Sequence, residues 1–376
     1  MGQVEFVGCE TLRNIDQIVR ENLVKRILLV TGKESYHCSG AKEQMQKHLS
    51  SVEKARFCEF DTNPRIEDVY RGVDLVKSFS PDLIVAIGGG SVIDMAKLIN
   101  ALSVNKLRDF LGNKKSINKG KTVIAIPTTT GTGSESTHFA VVYIDGKKHS
   151  IAHRSLLPDY AIVDPSLAYK SPGVLVASSG LDALSQAIES YWSLQSTSQS
   201  KGYAKKAISI ILPNIVKATC EGSAASIEMM AIGAHLSGKA INISKTTAPH
   251  AISYSVSSAL GIPHGHSVAV TLGYFFSINY PDDQKHVTDS RGADYLRSTM
   301  EELYKLLGCK NANLCHEFWN GLINDLGLEY DFYKLGFREN LLQWIINSIN
   351  VERMRNNPIQ VSKLDLKNIF RAHHEK

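Results

Sequence analysis

The densest chemistry in the chain lies in two neighbouring segments, Lys245-Thr246-Thr247-Ala248-Pro249-His250-Ala251-Ile252-Ser253-Tyr254 and Gly261-Ile262-Pro263-His264-Gly265-His266. Three histidines within 17 residues, set among small residues and Pro/Gly turns, suit a metal-binding or proton-transfer site. Upstream, Gly180-Leu181-Asp182-Ala183-Leu184-Ser185-Gln186 puts an acid and an amide at i and i+4, on one face of a helix. Asp182 stands in a mostly apolar helical stretch, where a buried carboxylate needs a partner. A divalent cation is one such partner; an N-terminal cap over Ser178-Ser179-Gly180 is another account of the local polarity. Taken singly, each histidine more often serves as a satisfied core or surface residue than as a ligand. Composition alone does not choose among these readings.

A second set of candidates consists of loops. Gly88-Gly89-Gly90-Ser91 follows an apolar strand directly and opens the helix SVIDMAKLIN. Glycines let backbone approach a phosphate, and a helix start supplies free N–H groups and a positive dipole end. This is neither GxGxxG nor a Walker loop, and a tight strand-to-helix turn is the plain alternative. Three consecutive glycines exceed what a turn requires. The following strand ends in Pro127-Thr128-Thr129-Thr130-Gly131-Thr132-Gly133-Ser134-Glu135, a run of uncharged hydroxyl and amide donors. Two such loops after successive strands point to a nucleotide, with Gly88, Gly89, Gly90, Ser91, Asp94, Thr128, Thr129, Thr132 and Ser134 as the expected contacts. A third loop, Thr31-Gly32-Lys33-Glu34-Ser35, has Gly32 where an acidic residue commonly holds an NAD ribose. With Lys33 and Ser35 beside it, the expectation tilts towards NADP(H), against the alternative of an ordinary solvated loop.

These loops need a framework, and the pattern of apolar runs supplies one. RILLVTG (26–32), the segment through Phe57-Cys58-Glu59-Phe60, DLIVAIGGG (82–90), TVIAIPTTT (122–130) and YAIVDP (160–165) read as strands. Their apolar runs are continuous rather than alternating, as for strands covered on both faces. Helical stretches such as Ile66–Phe79 and Val92–Ser103 lie between them, which predicts a parallel α/β sheet with right-handed crossovers. After Pro172 the strand runs stop. Helical periodicity covers Gly173–Ser193, Lys201–Ala218, Ala224–Ile243, His266–Ser277, Arg291–Leu307 and Leu341–Ile349, with turns at Gly261-Ile262-Pro263 and Tyr280-Pro281-Asp282-Asp283. The expected organisation is an α/β nucleotide-binding domain over 1–169 and an all-α domain over 170–376. The expected active site is the cleft where the strand ends meet the helical part.

The 376 residues carry 42 Lys+Arg against 37 Asp+Glu, with basic residues scattered, so charge gives no support to nucleic-acid binding. A 43% hydrophobic content with 27 Gly and 11 Pro is ordinary for a globular chain and excludes disordered and collagenous classes. No run approaches the roughly 18–20 apolar residues a membrane span needs, and MGQVEFVGCETLRN lacks the pattern of a secretory signal. Phe6 also breaks the myristoylation pattern begun by Met1-Gly2. Six cysteines without a CxxC pair read as reduced thiols in a cytoplasmic protein.

GGGSVIDMAK, PTTTGTGSE, GLDALSQAIES and the pair His250/His264, spread in order from about Ile27 to Val270, resemble the iron-containing (group III) alcohol dehydrogenases. That family shares its two-domain fold with glycerol dehydrogenase and dehydroquinate synthase. The resemblance implies an NAD- or NADP-binding α/β domain, a helical domain, a divalent metal (Fe2+ or Zn2+) in the cleft, and often a dimer. It places Asp182, His250 and His264 on metal ligands. The family's further histidine ligand is Gln186 here, which weakens the case for iron, though an amide oxygen can still ligate. Tyr254 stands where many relatives carry another active-site histidine.

SKTTAPHAISY followed by GIPHGHSVAV is similar to the phosphonoacetaldehyde reductase branch, which forms 2-hydroxyethylphosphonate. Relatives usually have a small residue at Lys245, and a cation five residues before a metal-binding histidine suits a phosphonate. A surface ion pair is the even alternative for Lys245. Arg154 and His266 are expected to assist, and Thr246, Tyr254 and His138 to line the pocket.

The implied reaction is hydride transfer from NAD(P)H to a metal-polarised aldehyde, with His266 relaying a proton from water. Competing readings are a broad aldehyde reductase, a dehydroquinate synthase-like lyase, and a non-catalytic nucleotide-binding protein.

Overall fold

The computed structural model describes residues 2–112, 117–282 and 286–372. The chain divides into two compact units, residues 1–171 and 172–376. Among the described residues of the first, eight strands form: β1 (Val4–Val7), β2 (Arg26–Thr31), β3 (Glu53–Phe57), β4 (Leu83–Gly88), β5 (Thr122–Pro127), β6 (Phe139–Ile144), β7 (Lys147–Ala152) and β8 (Tyr160–Val163). Six of them make one all-parallel sheet in the order β1-β8-β5-β4-β2-β3. Its helices are α1 (Asn14–Glu21), α2 (Ser35–Cys38), α3 (Ala41–His48), α4 (Ile66–Phe79), α5 (Gly90–Val104) and α6 (Leu107–Leu111).

The continuous apolar runs have a direct cause. Leu28, Val30, Ile84 and Ala86 face a core made with α4 and α5, while Ile27, Leu29, Leu83, Val85 and Ile87 face another built with residues of α1 and α3. Both faces of the pleat are covered along the middle of β2 and β4, so those positions are apolar without alternation.

Three local outcomes differ from the sequence pattern. β3 ends at Phe57, and Phe60 turns back to stack on Phe57 with ring centroids 5.5 Å apart. β5 stops at Pro127, leaving the threonines to the loop. β6 and β7 form a separate antiparallel hairpin turned by Asp145 (φ 49°) and Gly146 (φ 72°), the paired left-handed residues of a type I′ turn.

The second unit is built from α7 (Gly173–Trp192), α8 (Ser198–Ile211), α9 (Ala224–Ser244), α10 (Ala248–Leu260), α11 (His264–Ile278), α12 (Ala293–Leu306), α13 (Ala312–Asp325), α14 (Glu339–Ser348), α15 (Val351–Met354) and α16 (Lys363–Arg371). Among its described residues no strand forms beyond an isolated Val287–Ile359 bridge. α7 is buried along almost its whole length and packs against α8, α9 and α11, so its polar residues must be partnered inside the protein. α8 ends before Pro213 rather than running to Ala218, because proline cannot donate to the helix ladder. Asp283 of the expected turn lies outside the described residues. No helix among the described residues is long and apolar enough to cross a membrane.

Candidate functional site

In the second unit α7, α10 and α11 bring Asp182, His250 and His264 together, with one ligand atom from each within 4.8 Å of the others. His250 Nε2 lies 3.2 Å and His264 Nε2 4.0 Å from Asp182 Oδ1. The approach of α11 to α7 depends on Gly265, where a Cβ would meet the Ser178 carbonyl oxygen at 1.9 Å and Asp182 Cβ at 2.9 Å. His264 is therefore set beside Asp182 by the absence of a side chain at its neighbour.

His250 has a second carboxylate. Its Nδ1 hydrogen-bonds Glu189 Oε2, and both groups are buried. Glu189 Oε1 accepts from Thr247 N and Thr247 Oγ1, both at 2.9 Å, and Thr247 Oγ1 accepts from Trp192 Nε1 at 2.9 Å. Burial pulls the His250 pKa down, but the Glu189 charge and hydrogen bonds to Asp182 and Glu189 outweigh it and lift it to about 10. With Nδ1–H held by Glu189, Nε2 is the nitrogen that would give up its proton and ligate when a cation binds.

Two imidazoles and a carboxylate, with one imidazole backed by Glu189, fit a divalent first-row cation. Gln186 is oriented differently from the expected ligand. Its Nε2 donates to Asp182 Oδ2 at 3.1 Å, while its Oε1 lies 3.3 Å from the Ser237 hydroxyl, so it fixes the carboxylate rather than presenting an oxygen. His266 is not part of this cluster. It is buried on α11, its Nε2 donates to the Glu329 carbonyl at 2.6 Å, and burial lowers its pKa. That hydrogen bond engages the Nε2 that a proton relay would use. Tyr254 stacks on His264 at 5.2 Å with the rings 3° from parallel.

Lys245 ends α9 with φ 60° and ψ 174°, a backbone conformation ordinarily left to glycine, and its side chain is exposed. Asn356 Nδ2 clamps this turn by donating to the carbonyls of Ser244 (2.8 Å) and Thr246 (2.9 Å).

In the first unit the two expected nucleotide loops pack on each other. A Cβ on Gly90 would meet Thr132 at 2.8 Å, whereas one on Gly89 would stand 3.5 Å from Thr129 in ordinary contact. Thr128 N donates to the Gly88 carbonyl at 3.1 Å, and the buried Thr130 Oγ1 has no hydrogen-bond partner among the described residues. With the free amides that begin α5, this backbone surface and unpaired hydroxyl fit a phosphate-bearing dinucleotide.

Several side chains expected on the cofactor hold the loops in place. Asp94 accepts from Ser134 Oγ (2.6 Å) and Val141 N (2.9 Å), and Ser91 Oγ donates to the Thr62 carbonyl. The sequence reading also missed Lys97, fully buried, whose ammonium donates to the carbonyls of Ser134 (2.6 Å), Thr137 (2.9 Å) and Phe139 (2.8 Å). Burial brings its pKa down to about 8, against the opposing pull of Asp94 and Glu135.

Beside Gly32 and Lys33 stands another missed residue, Arg56 of β3. It donates to Thr31 Oγ1 (2.8 Å) and to the Gly32 carbonyl (2.9 Å). Arg154 is exposed, and His138 packs its ring on Phe139 at 4.2 Å.

Residues 5–165 match the iron-containing alcohol dehydrogenase family, and residues 176–374 match its C-terminal domain family, Fe-containing alcohol dehydrogenase. The chain belongs to this family. It is thereby an oxidoreductase of the NAD(P)-linked, metal-dependent alcohol dehydrogenase class.

Among curated proteins it is 29% identical over 353 residues to aldehyde-alcohol dehydrogenase 2 of Entamoeba histolytica, a match spanning 81% of this chain and 40% of that protein. It is 30% identical to the NAD-dependent methanol dehydrogenase of Bacillus methanolicus, spanning 73% of each. Among solved structures, the sulfoacetaldehyde reductase of Bifidobacterium kashiwanohense in complex with NAD+ superposes with a TM-score of 0.87 at 26% identity, over 100% of this chain and 97% of that one.

Three outcomes follow from the geometry. Glu189→Gln is expected to weaken zinc binding roughly ten- to hundredfold in calorimetric titration, and unchanged affinity would contradict the role given to Glu189. Gly265→Ala is expected to abolish stoichiometric metal binding, since the added methyl runs into backbone. Lys97→Met leaves three carbonyls without a donor and is expected to lower urea stability by about 3 kcal/mol. Because the folded Lys97 binds its proton less tightly than the unfolded one, wild-type stability should rise with pH between about 8 and 10.5, and that rise should be absent from the pH profile of this variant.

Proposed function

We propose that the protein reduces a small aldehyde bearing a tetrahedral oxyanion, with phosphonoacetaldehyde giving 2-hydroxyethylphosphonate as the preferred pair, using NADPH or NADH and one divalent ion. The observation that carries the reaction class is the convergence of Asp182, His250 and His264. These three would hold a divalent ion, iron or zinc, which when bound would supply Lewis-acid polarisation of a carbonyl, worth several kcal/mol. The nicotinamide supplies the hydride.

The chain's own work is positional. Glu189 keeps the proton on His250 Nδ1, Gln186 orients Asp182, and Tyr254 backs His264. Gly88–Ser91 and Thr128–Ser134 hold the dinucleotide through backbone amides and threonine hydroxyls. The proton that completes the alcohol comes from water. Gly32 in place of an acid, with Lys33 and Arg56 beside it, favours NADP(H) over NAD(H).

Lys245 supports the anionic substrate. A non-glycine residue held at φ 60° costs about 1–3 kcal/mol, and a site retains such strain where the surrounding structure fixes it. Asn356 provides that fixation. The Bifidobacterium neighbour is a sulfoacetaldehyde reductase, so it acts on a two-carbon aldehyde with a sulfonate, close in shape and charge to a phosphonate. A broad aldehyde reductase is the second reading, favoured by the similarity to a methanol dehydrogenase. A cytoplasmic homodimer belongs to the proposal, with its free cysteines in keeping with a reducing compartment.

The test is NADPH and NADH oxidation by metal-reconstituted protein with phosphonoacetaldehyde, sulfoacetaldehyde and propanal. The proposal expects kcat/KM at least tenfold higher for the oxyanion aldehydes and a reduced preference in Lys245→Met. Equal or better turnover of propanal by the wild type selects the broad reductase.

A further inference from the structure

Resting on the oxyanion reading above, we infer that Arg353 is a second substrate-binding cation and forms with Lys245 a two-armed clasp for the phosphonate or sulfonate group. Arg353 lies on α15, whose start is capped by Asn350 Oδ1 accepting from Glu352 N (3.0 Å) and Arg353 N (3.4 Å). Its guanidinium carbon stands 4.7 Å from the centre of the Tyr254 ring. Tyr254 in turn stacks on the imidazole of His264. The guanidinium is thus one aromatic ring removed from a metal-ligand candidate.

The same segment is tied to Lys245 from the other side. Asn356, three residues after Arg353, donates to the carbonyls on either side of Lys245. The backbone that carries Lys245 is thus anchored by Asn356, and the Arg353 guanidinium, three residues earlier on the same segment, is ordered on the Tyr254 ring.

Neither cation has a carboxylate within ion-pair distance among the described residues, whereas Arg291 and Arg371 in the same unit are each paired with an acid. An arginine with its fork of N–H donors unspent, its flat face already ordered on an aromatic, loses little freedom on binding a tetrahedral oxyanion through two parallel hydrogen bonds. Lysine adds a point charge without that geometry. Tyr254 gains a reason by the same argument, because a phenol ring offers the guanidinium a broad face.

Three measurements on metal-reconstituted protein test this: the ratio of kcat/KM for phosphonoacetaldehyde to that for propanal, the same ratio with sulfoacetaldehyde, and calorimetric titration with the unreactive probe ethylphosphonate. In Arg353→Met both ratios should fall roughly ten- to hundredfold, through KM, with a matching loss of ethylphosphonate affinity. Arg353→Lys should recover part of both. If the wild type prefers the oxyanion aldehydes but Arg353→Met keeps the ratios and the ethylphosphonate affinity, the clasp is overturned and the substrate reading stands on Lys245 alone. If Arg353→Met lowers both aldehydes equally, the residue acts only through the Tyr254 stack, and the clasp is again overturned. If the wild type shows no preference for oxyanion aldehydes, the substrate reading falls and takes the clasp with it.

Discussion

The buried negative charge of α7 is the constraint on which the second unit depends. Asp182 and Glu189 stand seven residues apart on one face of a helix that is covered nearly all round, and both reach the same imidazole. Two carboxylates taken out of water this way cost several kcal/mol each unless neighbours compensate them. The surrounding structure reads as that compensation: Thr247 and Trp192 behind Glu189, Gln186 beside Asp182, and a missing side chain at Gly265 that lets His264 close in. Asp182, His250 and His264 turn ligand atoms towards one another, where a divalent ion would add positive charge beside the two carboxylates.

The first unit follows a different logic. Asp94 and Lys97, charged residues near the glycine and threonine loops, are spent on holding the loop backbone in place, beside a run of amides and hydroxyls. A dinucleotide pyrophosphate is well served by such a surface, because oriented N–H groups and a helix start stabilise it at no cost in reorganisation. Lys97 carries the expense, since an ammonium satisfied by three carbonyls still holds its proton less firmly than one in water.

Much of this was legible in the sequence because it follows from local rules. Apolar runs marked the central strands, since both faces of the sheet are buried, and the helix Ile66–Phe79 was read to the residue. Asp182, His250 and His264 were found through motif resemblance, and the structure brings them together. Glu189 was missed although its signal was present, as it continues the 182/186 face by one helical turn. The Asp145-Gly146 hairpin was equally readable from its turn residues. Arg56 and Arg353 carried no local signal. Arg56 meets the Gly32 loop only because β3 pairs with β2, and Arg353 meets Tyr254 across about a hundred residues of sequence, so both depend on tertiary contacts. For His266 and Gln186, residue type announces ligand capacity, while the hydrogen bonds that engage them appear only in the fold.

The central claim is that one divalent ion, held by Asp182, His250 and His264, is what this fold is built to support. The most direct measurement is metal content and calorimetric zinc affinity of Asp182→Ala beside the wild type, with aldehyde-dependent NADPH oxidation followed on the same samples. The account predicts one tightly bound ion in the wild type, loss of that ion in the variant, and loss of turnover with it. A variant that keeps its aldehyde reduction without bound metal would contradict the account.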